Sequence, residues 1–361
     1  MKKTTEARVS GTLDPLVVRL SNSVTIIHGD CREVLKTLAD ASVNCCVTSP
    51  PYFNLRDYGH AGQIGLEQTP DEYVAALVEV FREVRRVLRD DGTLWLNLGD
   101  SYAGSGKGRN ADGSHQEGGK QGTSRGTIEG KLVKTHAPDC KPKDLIGIPW
   151  RVAFALQADG WYLRQDIIWA KGTSGARREG NIMPESVKDR CSKAHEYIFL
   201  LTKSPRYYFD NEAIKEPAQD WGTRDRSNWR GGTDDPKLKH HGFKDCNHAM
   251  GNRRSVWRVN PTPFKGAHFA TFPPDLIKPC ILAGCPEGGT VLDPFGGSGT
   301  TGEVAAGNGR DAILIEVNPA YVELCRQRTA QGVLPLYTEN PTNLARESAS
   351  VDQHSVVGRS K

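Results

Sequence analysis

Thr290-Val291-Leu292-Asp293-Pro294-Phe295-Gly296-Gly297-Ser298-Gly299-Thr300-Thr301 is the stretch that decides the fold. Thr290 to Asp293 reads as a short buried-type strand, and Gly299 to Gly307 as a helix. Gly296, Gly297 and Gly299 sit at the junction, where a close turn must let a ligand approach the backbone. A helix N-terminus there offers N–H groups and the positive end of a dipole to a carboxylate or phosphate. The next strand, Ala312-Ile313-Leu314-Ile315, delivers Glu316 at its C-terminal end, placed to accept both hydroxyl protons of a ribose.

The same alternation extends toward the N-terminus. Val24-Thr25-Ile26-Ile27 reads as a strand and Arg32 to Leu38 as a helix. Val43-Asn44-Cys45-Cys46-Val47 is a second strand, running straight into Thr48-Ser49-Pro50-Pro51-Tyr52. Pro70 opens a long helix with Tyr73, Leu77, Val80, Phe81, Val84 and Leu88 at helical spacing. Asp91-Gly92 is expected to end it before the strand Thr93 to Leu98, and Asp166 to Trp169 and Tyr197 to Leu201 read as further strands. Strands alternating with helices predict an α/β fold, a mostly parallel sheet covered on both faces.

The chain divides into a tail at 1–20, a half-domain at 21–210, an irregular insert at 211–263, a second half-domain at 264–334 and a tail at 335–361. Residues 103–142, crowded with Gly, Ser and Lys, are expected to form a long mobile loop. The insert combines Trp221, Trp229, Phe243 and Trp257 with Arg224, Arg226, Arg230, Arg253 and Arg254, a mixture suited to stacking on bases and pairing with phosphates, while the tryptophans equally suit the small core of an irregular insert, and the insert is read as doing both.

With 361 residues, 37% hydrophobic and 25% charged, the composition is that of an ordinary globular protein. No signal peptide or membrane-length apolar run is visible, and nine scattered cysteines without a CxxC pair predict a reducing cytoplasm. The net charge of +4 is unevenly spread. Residues 107–143 hold 8 Lys/Arg against 4 Asp/Glu, and residues 171–258 hold 18 against 12, so the rest of the chain is acidic. An acidic body with basic insertions fits a polyanion partner, and Arg177 and Arg178 join the insert's arginines as candidate DNA contacts. Cys246 and His248, near His240 and His241, have irregular spacing, and no metal site is expected.

The glycine loop admits two classes of ligand. Gly297-Ser298-Gly299-Thr300-Thr301-Gly302 is literally GxGxxG with an acid near the required distance, as in a dinucleotide-binding oxidoreductase. Against that stand the three residues Asp293-Pro294-Phe295 before the first glycine, and too little chain beyond for a second nucleotide-binding half. A Walker phosphate loop is excluded, because no Lys-Ser or Lys-Thr follows the glycines.

Ser49-Pro50-Pro51-Tyr52 supplies the second clue. Two prolines fix the backbone and remove N–H donors, leaving carbonyls that can only accept. Such a tip suits an amino group that must lose planarity to expose its lone pair, and Tyr52 offers a face for an extruded base. Taken together, Ser-Pro-Pro-Tyr followed by Asp-Pro-Phe-x-Gly-Ser-Gly-Thr-Thr resembles the S-adenosylmethionine-dependent DNA amino-methyltransferases, over about residues 22–330 and in the order that places the tip first.

The resemblance implies a Rossmann-like fold with a mostly parallel seven-stranded sheet and an irregular target-recognition insert. It also implies methyl transfer to N4 of a flipped cytosine, since Ser at the first tip position goes mostly with N4-cytosine and Asp with N6-adenine. Ser49, Pro50, Pro51 and Tyr52 would be catalytic. Asp293, Pro294, Phe295, Gly296, Gly297, Ser298, Gly299 and Thr300 would hold the cofactor, with Glu316 on its ribose and Asp30, in Gly29-Asp30-Cys31, near adenine. His268 to Pro273 would close the pocket. Double-stranded DNA, a cognate endonuclease and a monomer or homodimer are the implied partners and state. The alternatives are N6-adenine methylation, an NAD-dependent oxidoreductase and a non-catalytic DNA-binding protein.

Overall fold

A computed structural model describes residues 16–19, 23–55, 62–103, 140–171, 187–218, 250–261 and 272–331. The first elements are β1 (Leu16–Arg19), β2 (Val24–His28), α1 (Cys31–Thr37), β3 (Val43–Thr48), α2 (Pro70–Val87) and β4 (Leu88–Leu98). Next come α3 (Ile148–Ala158), β5 (Tyr162–Ala170), β6 (His195–Thr202), β7 (Glu216–Pro217), β8 (Met250–Gly251) and β9 (Val256–Arg258). The last are α4 (Pro274–Gly284), β10 (Thr290–Asp293), α5 (Thr300–Ala306), β11 (Asp311–Glu316) and α6 (Pro319–Gln331).

One sheet runs β1-β2-β11-β10-β3-β4-β6-β5-β9. From β2 to β4 every pairing is parallel; β6 is antiparallel to both β4 and β5. The seven strands from β2 to β5 are thus the expected mostly parallel sheet. Its strands alternate between two cores, as period-two side chains require. Cys46 of β3 faces the layer of α1, α2 and α3, where Leu77, Phe81 and Val152 are fully buried, and Val43 joins it there because the register shifts between Val43 and Cys45. Cys45 and Val47 face α4, α5 and α6, where Leu276, Ile281 and Val304 lie.

Local chemistry explains the best-defined helix. Thr69 and Glu72 form a reciprocal capping box, Pro70 opens the first turn, and Tyr73, Leu77, Val80, Phe81 and Val84 bury one face.

Four expectations need correction. Residues 16–19, assigned to the N-terminal tail, form β1, which pairs antiparallel with β2 and covers backbone groups an edge strand would otherwise expose. At the other edge β9 pairs parallel with β5, so among the described residues the sheet has nine strands, not seven. That strand lies inside 211–263: Trp257 is buried against Trp95 at 6.5 Å, and its indole belongs to the core. The α2 helix ends at Val87, and Asp91-Gly92 lies within β4 instead of between helix and strand.

The helices α3, α4 and α6 have no counterpart in the sequence reading. At α3 no side chain of the N-cap residue Gly147 caps the helix; Asp100, 47 positions away, accepts from the N–H groups of Gly147 and Ile148 instead. The ends of the 103–142 segment are clasped, with Tyr102 bridged to Leu145 and Ala103 hydrogen bonded to Asp144 and Lys143. Its interior lies outside the described residues.

Candidate active site

The parallel strands all end at one edge of the sheet. The chain leaves β3 through α2 toward β4, and leaves β10 through α5 toward β11, in opposite directions. Adjacent strands with diverging crossovers open a crevice between their C-terminal ends. A cavity lies there, lined by Ser49 to Tyr52 on one side and by Asp293 to Ser298, Thr300 and Glu316 on the other. The tip and the glycine loop, more than 240 positions apart, therefore share one chamber.

Asp293, 2% exposed at the end of β10, ties the two halves together. Its Oδ1 accepts from Thr48 Oγ1 at 2.6 Å and from the Phe295 N–H at 3.0 Å, and its Oδ2 accepts from Thr301 Oγ1 at 2.6 Å. Burial pushes its carboxyl pKa up, and these three bonds work in the opposite direction. Asp293 is thus first a brace for the turn.

Glu316, at the end of the neighbouring β11, accepts the Gly297 N–H on Oε2 at 2.8 Å and the Asn318 N–H on Oε1 at 2.8 Å. Each carboxylate oxygen keeps a second lone pair. Burial pushes its pKa up to about 7. Asp30 caps α1 through the Arg32 N–H at 2.9 Å, and its carboxylate is also held by the Arg32 guanidinium, which reaches on to Gly62 O at 2.7 Å.

The glycines divide their work. Gly297 has φ +51° and Gly299 φ +83°, conformations a side chain rarely adopts. Gly299 does not line the cavity: a Cβ on it would meet Cys325 Sγ at 2.6 Å, so it serves the packing of α5 on α6. Pro294, Phe295, Gly296, Gly297, Ser298 and Thr300 line the cavity, as do Asp30, Phe272 and Tyr321.

At the tip, Tyr73 Oη donates to Pro51 O at 2.8 Å, which occupies that carbonyl and fixes the turn on α2. Ser49 Oγ donates toward Tyr52 Oη at 3.4 Å. Tyr52 Oη lies 2.7 Å from Glu196 Oε2 and 3.2 Å from Asn97 Oδ1. Burial, then the adjacent Glu196 charge, push the phenol pKa well up, so Tyr52 stays neutral. Its ring lies on the backbone of Gly99, where a Cβ would stand 2.5 Å from Tyr52 Cε2.

Glu196, Asn97 and Gly99 had no assigned part in the sequence reading, and Thr48 and Thr301, inside the two quoted stretches, had no role of their own. Thr48, just before the tip, and Thr301, which closes the glycine motif, could have been found as hydroxyl partners for a buried acid. Glu196 could not, because only the antiparallel direction of β6 brings its first residues to this edge.

Of the candidate DNA contacts, Arg177, Arg178, Arg224, Arg226 and Arg230 lie outside the described residues, as do Cys246, His248, His240, His241 and Phe269. Arg253 lies over the Trp257 ring, 4.8 Å from its centroid, and Arg254 is paired with Glu216 across β7 and β8. The Arg254 side chain is 72% exposed.

The charges of the chamber discriminate between ligands. Asp30, Asp293 and Glu316 face it, against Arg32 as the one cation among the described residues that line it. With Asp30 paired to Arg32, the buried carboxyls of Asp293 and Glu316 give the chamber acceptors rather than cations, which suits the ribose hydroxyls and ammonium of a sulfonium cofactor. The residues present fit S-adenosylmethionine.

The family model described as DNA methylase, of the N6/N4 methyltransferase type, matches residues 43–327. The type II methyltransferase M.XycI of Xanthomonas campestris pv. cyanopsidis is 46% identical over 316 residues, covering 87% of this chain and 89% of that protein. M.SmaI of Serratia marcescens is 46% identical over 306 residues, covering 85% and 90%. Among solved structures, the PvuII DNA methyltransferase (cytosine-N4-specific) aligns with TM-score 0.55 at 18% identity, over 90% of this chain and 91% of that one. A candidate DNA modification methylase from Thermus thermophilus aligns with TM-score 0.51 at 24% identity, over 88% and 97%. These two alignments speak for the fold alone. The family match and the close relatives speak for more: the chain belongs to the N6/N4 DNA methylases, the S-adenosylmethionine-dependent amino-methyltransferases of DNA.

Proposed function

We propose that this chain methylates N4 of cytosine in double-stranded DNA at a specific site, as the modification partner of a restriction endonuclease. The carrying observation is that Ser49, emerging from β3, lines the same chamber as Asp293 and Glu316. Ser in place of Asp at the first tip position goes mostly with N4-cytosine in this family. The endonuclease partner rests on the relatives, which are named type II methyltransferases.

Bound in the chamber, S-adenosylmethionine supplies a methyl group already activated by its sulfonium. Glu316 has acceptor capacity left for ribose hydroxyls, and Asp30 with Arg32 borders the adenine end. Asp293 holds the Phe295 turn against Thr48, which sets the distance between tip and loop. On the other side the Ser49 hydroxyl oxygen and the Pro50 carbonyl accept the two amine N–H groups. Pro51 holds the turn, its carbonyl accepting from Tyr73. An amine held by both hydrogens points its lone pair outward, and positioning of that kind supplies much of the rate. The flipped base stacks on the Tyr52 ring, worth about 1–3 kcal/mol. The proton left on nitrogen after transfer goes to water.

The test is mass spectrometry of nucleosides from plasmid DNA incubated with the protein and S-adenosylmethionine. N4-methylcytosine is the expected product. N6-methyladenine would overturn the choice of base while leaving the family, and no methylated base on DNA of varied sequence would overturn the activity.

A further inference from the structure

Tyr52 is expected to stack on the base, yet its hydroxyl is turned away from the chamber into a polar cluster built from three strands. Glu196, the second residue of β6, is at its centre, with a side chain only 12% exposed. Its Oε2 receives Tyr52 Oη at 2.7 Å and Asn97 Nδ2 at 3.3 Å, while its Oε1 is paired with Lys171, which follows β5. Asn97 Nδ2 also donates to Tyr197 O at 3.0 Å, and Lys171 Nζ sits 4.5 Å from the centroid of the Trp169 ring. Tyr52 from the tip, Asn97 from β4 and Lys171 from the end of β5 thus hold one carboxylate of β6 beside the tip.

We infer that Glu196 is a positioning residue that sets the direction of the hydrogen bonds at the tip and so keeps Ser49 an acceptor toward the target amine. A phenol has one proton to donate, and an ionised carboxylate can only accept. The Tyr52 hydroxyl donates to Glu196, the shorter of its contacts with Glu196 and Asn97. The Tyr52 oxygen is then the acceptor for the Ser49 hydroxyl 3.4 Å away. With its proton turned inward, Ser49 presents lone pairs to the chamber, which is what an amine N–H needs. Reversed, the chain would aim the Ser49 proton at the amine nitrogen and occupy the lone pair that must attack. The inference rests on the amine-methylation reading but not on the choice of base.

The test replaces Glu196 by Gln, which keeps shape and can donate to the Tyr52 oxygen, and Tyr52 by Phe, which cuts the chain while leaving Glu196 and Lys171 paired. Tritiated methyl transfer to plasmid DNA is measured in single turnover, alongside the dissociation constant for S-adenosylmethionine. Each variant should lose at least tenfold in rate with cofactor affinity unchanged within twofold. The double variant should lose no more than the worse single, because both act on one chain of bonds. Wild-type rates in E196Q, or losses that multiply in the double variant, would overturn the inference. Should E196Q not fold, Y52F decides alone: a wild-type rate overturns the inference and a tenfold loss supports it. Absence of methyl transfer by the wild-type protein would instead count against the activity itself.

Discussion

The proton affinity of Glu316 should make cofactor binding depend on pH near neutrality. Burial raises the pKa of this carboxyl to about 7, and each of its oxygens already holds one backbone N–H. A cationic cofactor whose ribose hydroxyls donate to the carboxylate favours the ionised form. The group therefore binds cofactor as an anion, and the binding-competent form is lost as pH falls through 7. If the bound state stays ionised throughout, the empty site must lose its proton first. At pH 8 about nine-tenths of the sites are ready, at pH 6 about one-tenth, so affinity should fall about tenfold, roughly 1.4 kcal/mol. Isothermal titration with S-adenosylmethionine at pH 6, 7 and 8, without DNA, measures this directly. Run at pH 7 in buffers of different ionisation enthalpy, the titration should show about half a proton released per site. The cofactor's own amino group titrates near pH 8, so Glu316→Gln is the control: it binds more weakly and retains only that dependence. Parallel pH profiles in the wild type and Glu316→Gln would refute the reasoning, as would binding without proton release.

The two ends of the chamber should fail in different ways. Asp293→Ala strands the Thr48 and Thr301 hydroxyls and the Phe295 N–H, so it should destabilise the protein by about 2–4 kcal/mol and weaken cofactor binding, read by thermal denaturation and titration. Ser49→Ala should leave cofactor affinity intact and lower turnover about 10- to 100-fold, the worth of one or two hydrogen bonds in the transition state. Equal loss of cofactor affinity in both variants would contradict this division. Gly99→Ala puts a methyl where the Tyr52 ring lies, 2.5 Å from Cε2, and should cost about 1–3 kcal/mol of stability while displacing the tip. A fully active, fully stable Gly99→Ala protein would mean that Tyr52 is not held as described.

What could be read in the sequence was what is contiguous in it. The β10 turn and α5 follow from twelve consecutive residues, and the Ser-Pro-Pro-Tyr tip from four, because strand, prolines and glycines act on their own neighbours. Signals that come from afar were lost. The cap of α3 is Asp100, supplied from the end of β4, so Ile148 to Ala158 carries no start of its own. Trp257 could be read as a core residue of the insert, but nothing local says that a three-residue strand will pair with β5 and set the indole beside Trp95.

The three acids of the chamber show why position in the fold was legible and function was not. Asp30, Asp293 and Glu316 each end a parallel strand or its first turn, and the sequence places all three at the same sheet edge. Their chemistry is decided by what closes around them. Asp30 is matched by a guanidinium two residues away, so its charge is largely spent. Asp293 is enclosed by two hydroxyls and an amide, both from residues near it and from β3, 245 positions distant, and becomes a brace. Glu316 receives backbone amides and, among the described residues, no cation, and its proton affinity rises to about 7. Of the three carboxylates it is the one whose charge a cationic cofactor would complete, and for that reason it, more than the glycines of the loop, should report the arrival of S-adenosylmethionine.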